Sequence, residues 1–323
     1  MLVAVGIDVG GTNTKLGLVT KGGKIINKTR FRTRELTSAE SFANHLILNI
    51  RALLETSAQE LQLVGIGIGA PMANIHTGLI AGAANLQWSF PADIRKPLSD
   101  HFAVPVKITN DANLAAIGEK VYGNAITMEN FLSVTIGTGL GCGVFTSGQL
   151  QHGESDLAGE LGHTSVKKRG RQCSCGKRGC LETYVSARGV ITTAYKTLGE
   201  YKGETRLRSI AQHDFNPAII DQLAREGDGA AIKIIAKTAD TLGFKLADVV
   251  AMYNPEAIFI TGGVANSHLL IEKTLESIKK YIYKTYSHPI QVLPSALKDD
   301  EIAVLGGAAI IWSALRQEEA VLS

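Results

Sequence analysis

Four cysteines in 323 residues leave no disulfide framework to build, and eight prolines do not make a linker-rich or fibrous chain. An excess of one charge is also missing: 33 basic against 30 acidic residues leave +3, too balanced to predict a nucleic-acid partner or an anionic membrane surface. No apolar run reaches the roughly 18 residues a membrane span needs. The longest, AVLGGAAIIWSAL (303–315), reads as a buried helix. The opening MLVAVGIDVGGT has no basic leader and carries Asp8 inside its apolar run, so it does not read as a signal peptide. Together these absences predict a cytoplasmic globular protein with reduced thiols, no membrane and no nucleic acid. The length suits one large domain or two medium ones.

Against that scarcity, three of the four cysteines stand in CSCGKRGCLE (173–182). Three thiolates need a fourth ligand to close a tetrahedral zinc site. His163, in AGELGHTSV upstream, supplies a candidate imidazole for a set with Cys173, Cys175 and Cys180. Gly176 and Gly179 allow tight turns between the ligands. Such a site leaves no position for water and is structural rather than hydrolytic. The competing readings are a redox pair, which lacks the usual C-x-x-C, and chance clustering. A zinc ribbon for nucleic acid would want a basic, aromatic surround, of which KKRGR (167–171) is the sole trace. Cys142 reads as a small packed residue in a glycine-rich turn.

Two segments look like one device used twice: VAVGIDVGGTNTKLGLVT (3–20) and FLSVTIGTGLGCGVFTSG (131–148). Each predicts a hairpin whose glycine–threonine bend either cradles an anion through backbone N–H groups or simply turns the chain. The repetition suggests two related α/β halves. There is no G-x-x-x-x-G-K-[ST] segment, and GIGIGAP (65–71) runs into proline instead of opening a helix, so the P-loop and Rossmann readings are weak. VPVKITNDANLAAIGEKVYG (104–123) predicts a strand, then Asn110–Asp111, then a helix. Asp111 at the strand end suits a general base, but on the residues alone it reads first as a helix N-cap. Residues 218–254 have helical periodicity, 255–263 form a strand ending in Gly262 and Gly263, and 268–286 predict an amphipathic helix. Gly262 and Gly263 either admit a ring or phosphate close to the backbone or make a helix-entry turn.

DVGGTNTK (8–15), GTGLGCG (137–143), AGELGH (158–163), CSCGKRGCLE and TGG (261–263) together resemble the ROK (repressor, open-reading-frame, kinase) family of sugar kinases over nearly the whole chain. The resemblance implies an α/β fold of two actin-like (ribonuclease H-like) domains with an interdomain cleft. Residues 1–110 would form the small domain, with the helix of 303–323 packing back on it. Residues 111–302 would form the large domain with its zinc loop. It implies ATP-dependent transfer to a hexose, first glucose to glucose 6-phosphate. N-acetylglucosamine, N-acetylmannosamine and fructose kinases share the signature. Asp111 would be the base. Asn85, Asn110, Glu160, His163 and Glu182 would bind sugar, with Asn74 near it in a loop where Met72 replaces the usual glycine after Pro71. Asp8 would lie near Mg2+. Gly10, Gly11, Thr12, Lys15, Gly137, Thr138 and Gly139 would hold the phosphates, and Gly262 and Gly263 the adenosine. Structural Zn2+ would sit on His163, Cys173, Cys175 and Cys180. Polyphosphate-using relatives leave the donor open, and the family's habit predicts a homodimer or homotetramer. A sugar-responsive regulator is the alternative of another class. Its helix-turn-helix would precede the first phosphate motif, and Asp8 stands seven residues from the start, so the expectation is that none fits.

Overall fold

The computed structural model describes residues 1–57, 60–83, 86–286 and 289–322, without the side chains of 317–322. The chain runs β1 (Leu2–Val9), β2 (Asn13–Val19), β3 (Ile25–Arg32), α1 (Ala39–Glu55), β4 (Gln62–Gly69), α2 (Arg95–Phe102), β5 (Val106–Thr109) and α3 (Asp111–Tyr122). It continues through β6 (Phe131–Ile136), β7 (Leu140–Thr146), β8 (Gln149–Leu150), α4 (Glu182–Val185), α5 (Ala187–Glu200), α6 (Pro217–Arg225) and α7 (Gly229–Tyr253). It closes with β9 (Ala257–Thr261), α8 (His268–Tyr281), β10 (Gln291–Pro294) and α9 (Ile302–Leu322). Two compact units result. One is Met1–Thr127 with His152–Ala158 and Ala296–Ser323; the other is Met128–Gln151 with Gly159–Ser295.

In the first unit the sheet order is β3-β2-β1-β4-β5. The first apolar run and its glycine bend make an antiparallel hairpin from Ala4↔Val19 to Val9↔Thr14. β4 and β5 then add in parallel. Alternation of side chains along β1 sends Val5 and Ile7 into a core with Phe42, Leu46 and Ile50 of α1. The other face receives α9 at unusually close range. A Cβ on Gly6 would come within 1.8 Å of the Val304 carbonyl oxygen, and one on Gly67 within 1.8 Å of that of Gly307. The glycines of GIGIG thus serve helix docking, which accounts for their failure to match a dinucleotide turn. α3 joins this unit because it also meets α9, where a Cβ on Gly306 would lie 1.9 Å from the Leu114 carbonyl oxygen. The division therefore falls after Thr127 instead of near residue 110.

The second unit repeats the plan. Its order is β10-β9-β6-β7-β8, with β6-β7-β8 antiparallel and β9 and β10 added in parallel. Counted from its own first strand, each sheet reads 3-2-1-4-5. Three local differences from expectation have clear causes. The helical stretch 218–254 breaks at Gly227 (φ 86°), and Asp228 caps α7 by accepting from Ala230 and Ala231 N–H at 3.1 Å. α8 stops at Tyr281 instead of running to 286. Cys142 lies within β7, not in a turn; burial pushes its thiol up to about 12, so it acts as a packed residue. Among the described residues, no helix is long and apolar enough to cross a membrane.

Candidate functional site

In the first unit, three parallel strands β1, β4 and β5 end together. Asp8 is the Cα partner of Lys15 across the hairpin and of Gly69 on β4. A Cβ on Gly69 would lie 3.3 Å from Asp111 Cα, and Ala70 N–H donates to the Thr109 carbonyl at 3.0 Å. Asp8, Lys15, Asn110 and Asp111 therefore gather at the carboxyl end of the sheet, where open α/β sheets hold ligands. Burial first, then the negative charge of Asp111, push the Asp8 carboxyl up to about 6, with Lys15 opposing. Asp111 keeps solvent access, yet the surrounding protein raises its carboxyl too, against the lowering effect of nearby backbone N–H groups. The cap question resolves toward Asn110, which is the N-cap of α3 with Oδ1 accepting from Ala112 N–H at 2.9 Å. Asp111 is the first helical residue and shares that N–H at 2.8 Å. Beyond Asp8, Gly10 N–H closes the first bend on the Asn13 carbonyl at 3.1 Å and leaves Thr12 exposed. Asn85 lies outside the described residues. Asn74 is occupied within its loop: Oδ1 accepts from His76 and Thr77 N–H at 3.0 and 2.8 Å, and Nδ2 donates to the Ser155 carbonyl at 3.0 Å.

In the second unit, the bend Gly137–Thr138–Gly139 is closed by Gly137 N–H donating to the Gly139 carbonyl at 3.0 Å, with Thr138 exposed. The Glu182 Oε2 accepts from Leu140 N–H at 2.9 Å, and a Cβ on Gly139 would strike that oxygen at 2.6 Å. This link between Glu182 and the bend was not foreseeable, since 42 residues separate the partners. Gly262 (φ 97°) turns the chain beside the end of β6, where a Cβ would meet the Ile136 carbonyl oxygen at 2.5 Å. Around Gly263 a Cβ would find open space.

The ligand atoms of His163, Cys173, Cys175 and Cys180 all lie within 4.8 Å of one another. Cys173 Sγ is 3.6 Å from His163 Nδ1, and Cys175 Sγ is 3.7 Å from Cys180 Sγ. Gly176 (φ 89°) and Gly179 (φ 76°) make the tight turns expected of them. Burial, then the neighbouring thiols, push Cys180 up to about 12. Cys175 is shifted the other way: against desolvation, a backbone N–H and its cysteine neighbours lower its thiol. Three soft sulfur donors and one imidazole this close together are a donor set that fits zinc. His163 Nε2 faces the other way, 3.9 Å from Glu160 Oε2. Arg171 anchors the loop from behind. Its guanidinium donates to the Thr183 and Gly189 carbonyls at 2.6 and 2.9 Å and stacks 4.5 Å above the Tyr184 ring.

The doubled 3-2-1-4-5 sheet and its structural neighbours define an α/β protein of the actin-like class. A ROK family glucokinase from Streptomyces griseus, solved with glucose and AMPPNP, superposes with a TM-score of 0.81 at 25% identity over 95% of this chain and 98% of that one. A model of the ROK family matches residues 4–314. The glucokinase of Halalkalibacterium halodurans is 33% identical over 98% of this chain and 96% of its own. The xylose repressor of Bacillus subtilis is 30% identical over 95% of this chain and 76% of its own. The chain belongs to the ROK family.

Proposed function

We propose that the chain is an ATP-dependent sugar kinase whose first substrate is glucose, phosphorylated at O6. The observation that carries this is Asp111: a carboxylate on the first turn of α3, at the strand end beside Asp8, exposed to solvent and placed to accept a proton. The glucokinase relative and the glucose–AMPPNP complex support both substrate and donor.

Asp111 takes the proton from the sugar hydroxyl as that oxygen bonds to the γ-phosphorus and the bond from phosphorus to the β–γ bridging oxygen breaks, releasing ADP. Asn110 already uses Oδ1 on Ala112, so it meets the sugar with its Nδ2 donors. Glu182 holds Leu140 N–H with Oε2 and has Oε1 for a sugar hydroxyl. Glu160 accepts from a second hydroxyl. His163 turns Nδ1 toward Cys173, where it would ligate the metal, and Nε2 toward Glu160, where it would reach the sugar. The glycine bends at 10–12 and 137–139, with Lys15, cradle phosphates, and Gly262 and Gly263 admit the adenosine. Asp8 would hold Mg2+ through water; the ion neutralises phosphate charge. Zinc would be held by His163, Cys173, Cys175 and Cys180, where it would fasten the loop that carries Glu182 and take no chemical part.

An N-acetylhexosamine kinase is the second reading within the class. It is favoured by the departure at Met72, which follows Pro71 at φ 55° where glycine is usual. The repressor relative supports a non-catalytic sugar sensor. ADP release from MgATP with glucose, mannose, fructose, N-acetylglucosamine and N-acetylmannosamine separates these. Glucose preference is the expected result. Preference for an acetylated sugar moves the assignment and keeps the mechanism. Sugar binding without turnover on any of the five, with polyphosphate also tried, overturns the kinase.

A further inference from the structure

His152–Ala158 leaves the second unit's chain after Gln151 and packs as part of the first unit. Its anchor is Asp156, whose side chain is 1% exposed. Oδ1 meets His152 Nδ1 at 2.6 Å, and Oδ2 accepts from Ile75 N–H at 2.6 Å. Asn74 adds Nδ2 to the Ser155 carbonyl, and the His76 and His152 rings meet edge to face at 5.9 Å. Two charge-assisted bonds to one buried carboxylate make this a strong local tie. The backbone is built for it, since Asp156 sits at φ 60°, a conformation that few residues other than Gly, Asn and Asp adopt readily.

The two strands of chain so tied lead to the candidate sugar residues. The loop holding Ile75 rises from Gly69 and Ala70, beside Asp8 and Asp111. The segment holding Asp156 runs on to Glu160 and His163 within a few residues. We propose that Asp156, with His152 and Asn74, is a positioning residue that fixes the 70–80 loop against the segment entering Glu160, so that sugar affinity depends on it while the chemical step does not. This rests on the sugar-kinase reading. The hydrogen bonds of the tie run among residues 74, 75, 152, 155 and 156 and use no atom of the phosphate bends, so nucleotide affinity should not depend on it.

The test compares the full-length zinc-loaded protein with Asp156→Gly and Asp156→Asn, both of which accept the left-handed backbone. Asp156→Gly should raise the KM for the preferred sugar by about 10-fold, the order expected for a lost charge-assisted bond. Its kcat and its KM for ATP should stay within about twofold, and amide exchange at 74–77 should quicken. Asp156→Asn keeps an oxygen for Ile75 N–H and should recover most of the sugar affinity. Unchanged sugar KM in Asp156→Gly overturns the proposal, as does a parallel rise in the KM for ATP. Failure of the kinase reading shows separately, as a wild-type protein inactive on every sugar.

Discussion

Two carboxylates, Asp8 and Asp111, stand at one sheet end; burial raises both, the charge of Asp111 raises Asp8 further, and each has a separate consequence. Asp111→Asn removes the proton acceptor and keeps the shape, so turnover should fall by about 10²–10⁴-fold while sugar binding survives. Calorimetric sugar titration and steady-state rates check this together; near-normal turnover would remove Asp111 as base. Asp8 bears on stability. Its folded value of about 6 lies above the ordinary 3.8, so it favours the folded state fully below about pH 4, and that contribution is lost as pH rises through about 6. Asp8→Asn should therefore stabilise the ligand-free protein at pH 7.5 by about 1–2 kcal/mol and change little near pH 4, the half-buried position discounting the full shift. Denaturant unfolding at both pH values checks it; the same difference at both would sink the idea. The cluster of His163, Cys173, Cys175 and Cys180 was legible because the four donors lie within 18 residues of sequence. The Asp156–Ile75 bond was not, because its partners are 81 residues apart. The sequence pointed to Asp111 as the cap, yet Asn110 holds that place, because Asn caps as well as Asp and stands one residue earlier.

Elements show how glycine means different things at different places. GIGIG in β4 and the bend after β9 look alike on paper, yet Gly65 and Gly67 of the first touch α9, while Gly263 of the second faces open space. Gly67→Ala would drive a Cβ to 1.8 Å from the Gly307 carbonyl oxygen, in a sheet and helix that cannot both yield. A loss of at least about 2–3 kcal/mol is expected from such overpacking. Gly263→Ala meets nothing within 4 Å, so its melting temperature should barely move, while the KM for ATP rises if adenosine lies there. Thermal unfolding of both variants decides the matter, and equal melting temperatures would refute the close-packing account. Strands and hairpins were readable from apolar runs bounded by glycine. The break between α6 and α7 was hidden because the periodicity runs on across Gly227, while the chain turns there and Asp228 restarts the helix.

At the scale of the whole molecule, one topology occurs twice, and each copy has its own core. Val5, Ile7, Ile66 and Ile68 belong to the first; Val134, Ile136, Leu181 and Val185 to the second. The Cys3His cluster belongs to the second unit. Cys180 is followed directly by Leu181, fully buried in that core, and Leu181 N–H donates to the Thr164 carbonyl at 2.9 Å, next to His163. Metal removal should therefore loosen that core first, because binding energy at a structural zinc site is also folding energy. Hydrogen exchange with and without a strong chelator should show lost protection in β7, α4 and α5. β1, β4 and β5 should keep theirs. Sugar affinity should fall with the protection at α4, where Glu182 begins the helix. Uniform loss across both sheets would mean that the two cores unfold as one and that the zinc loop stabilises the entire chain. No loss at all, in protein shown by elemental analysis to have released its metal, would leave the Cys3His cluster without a structural role.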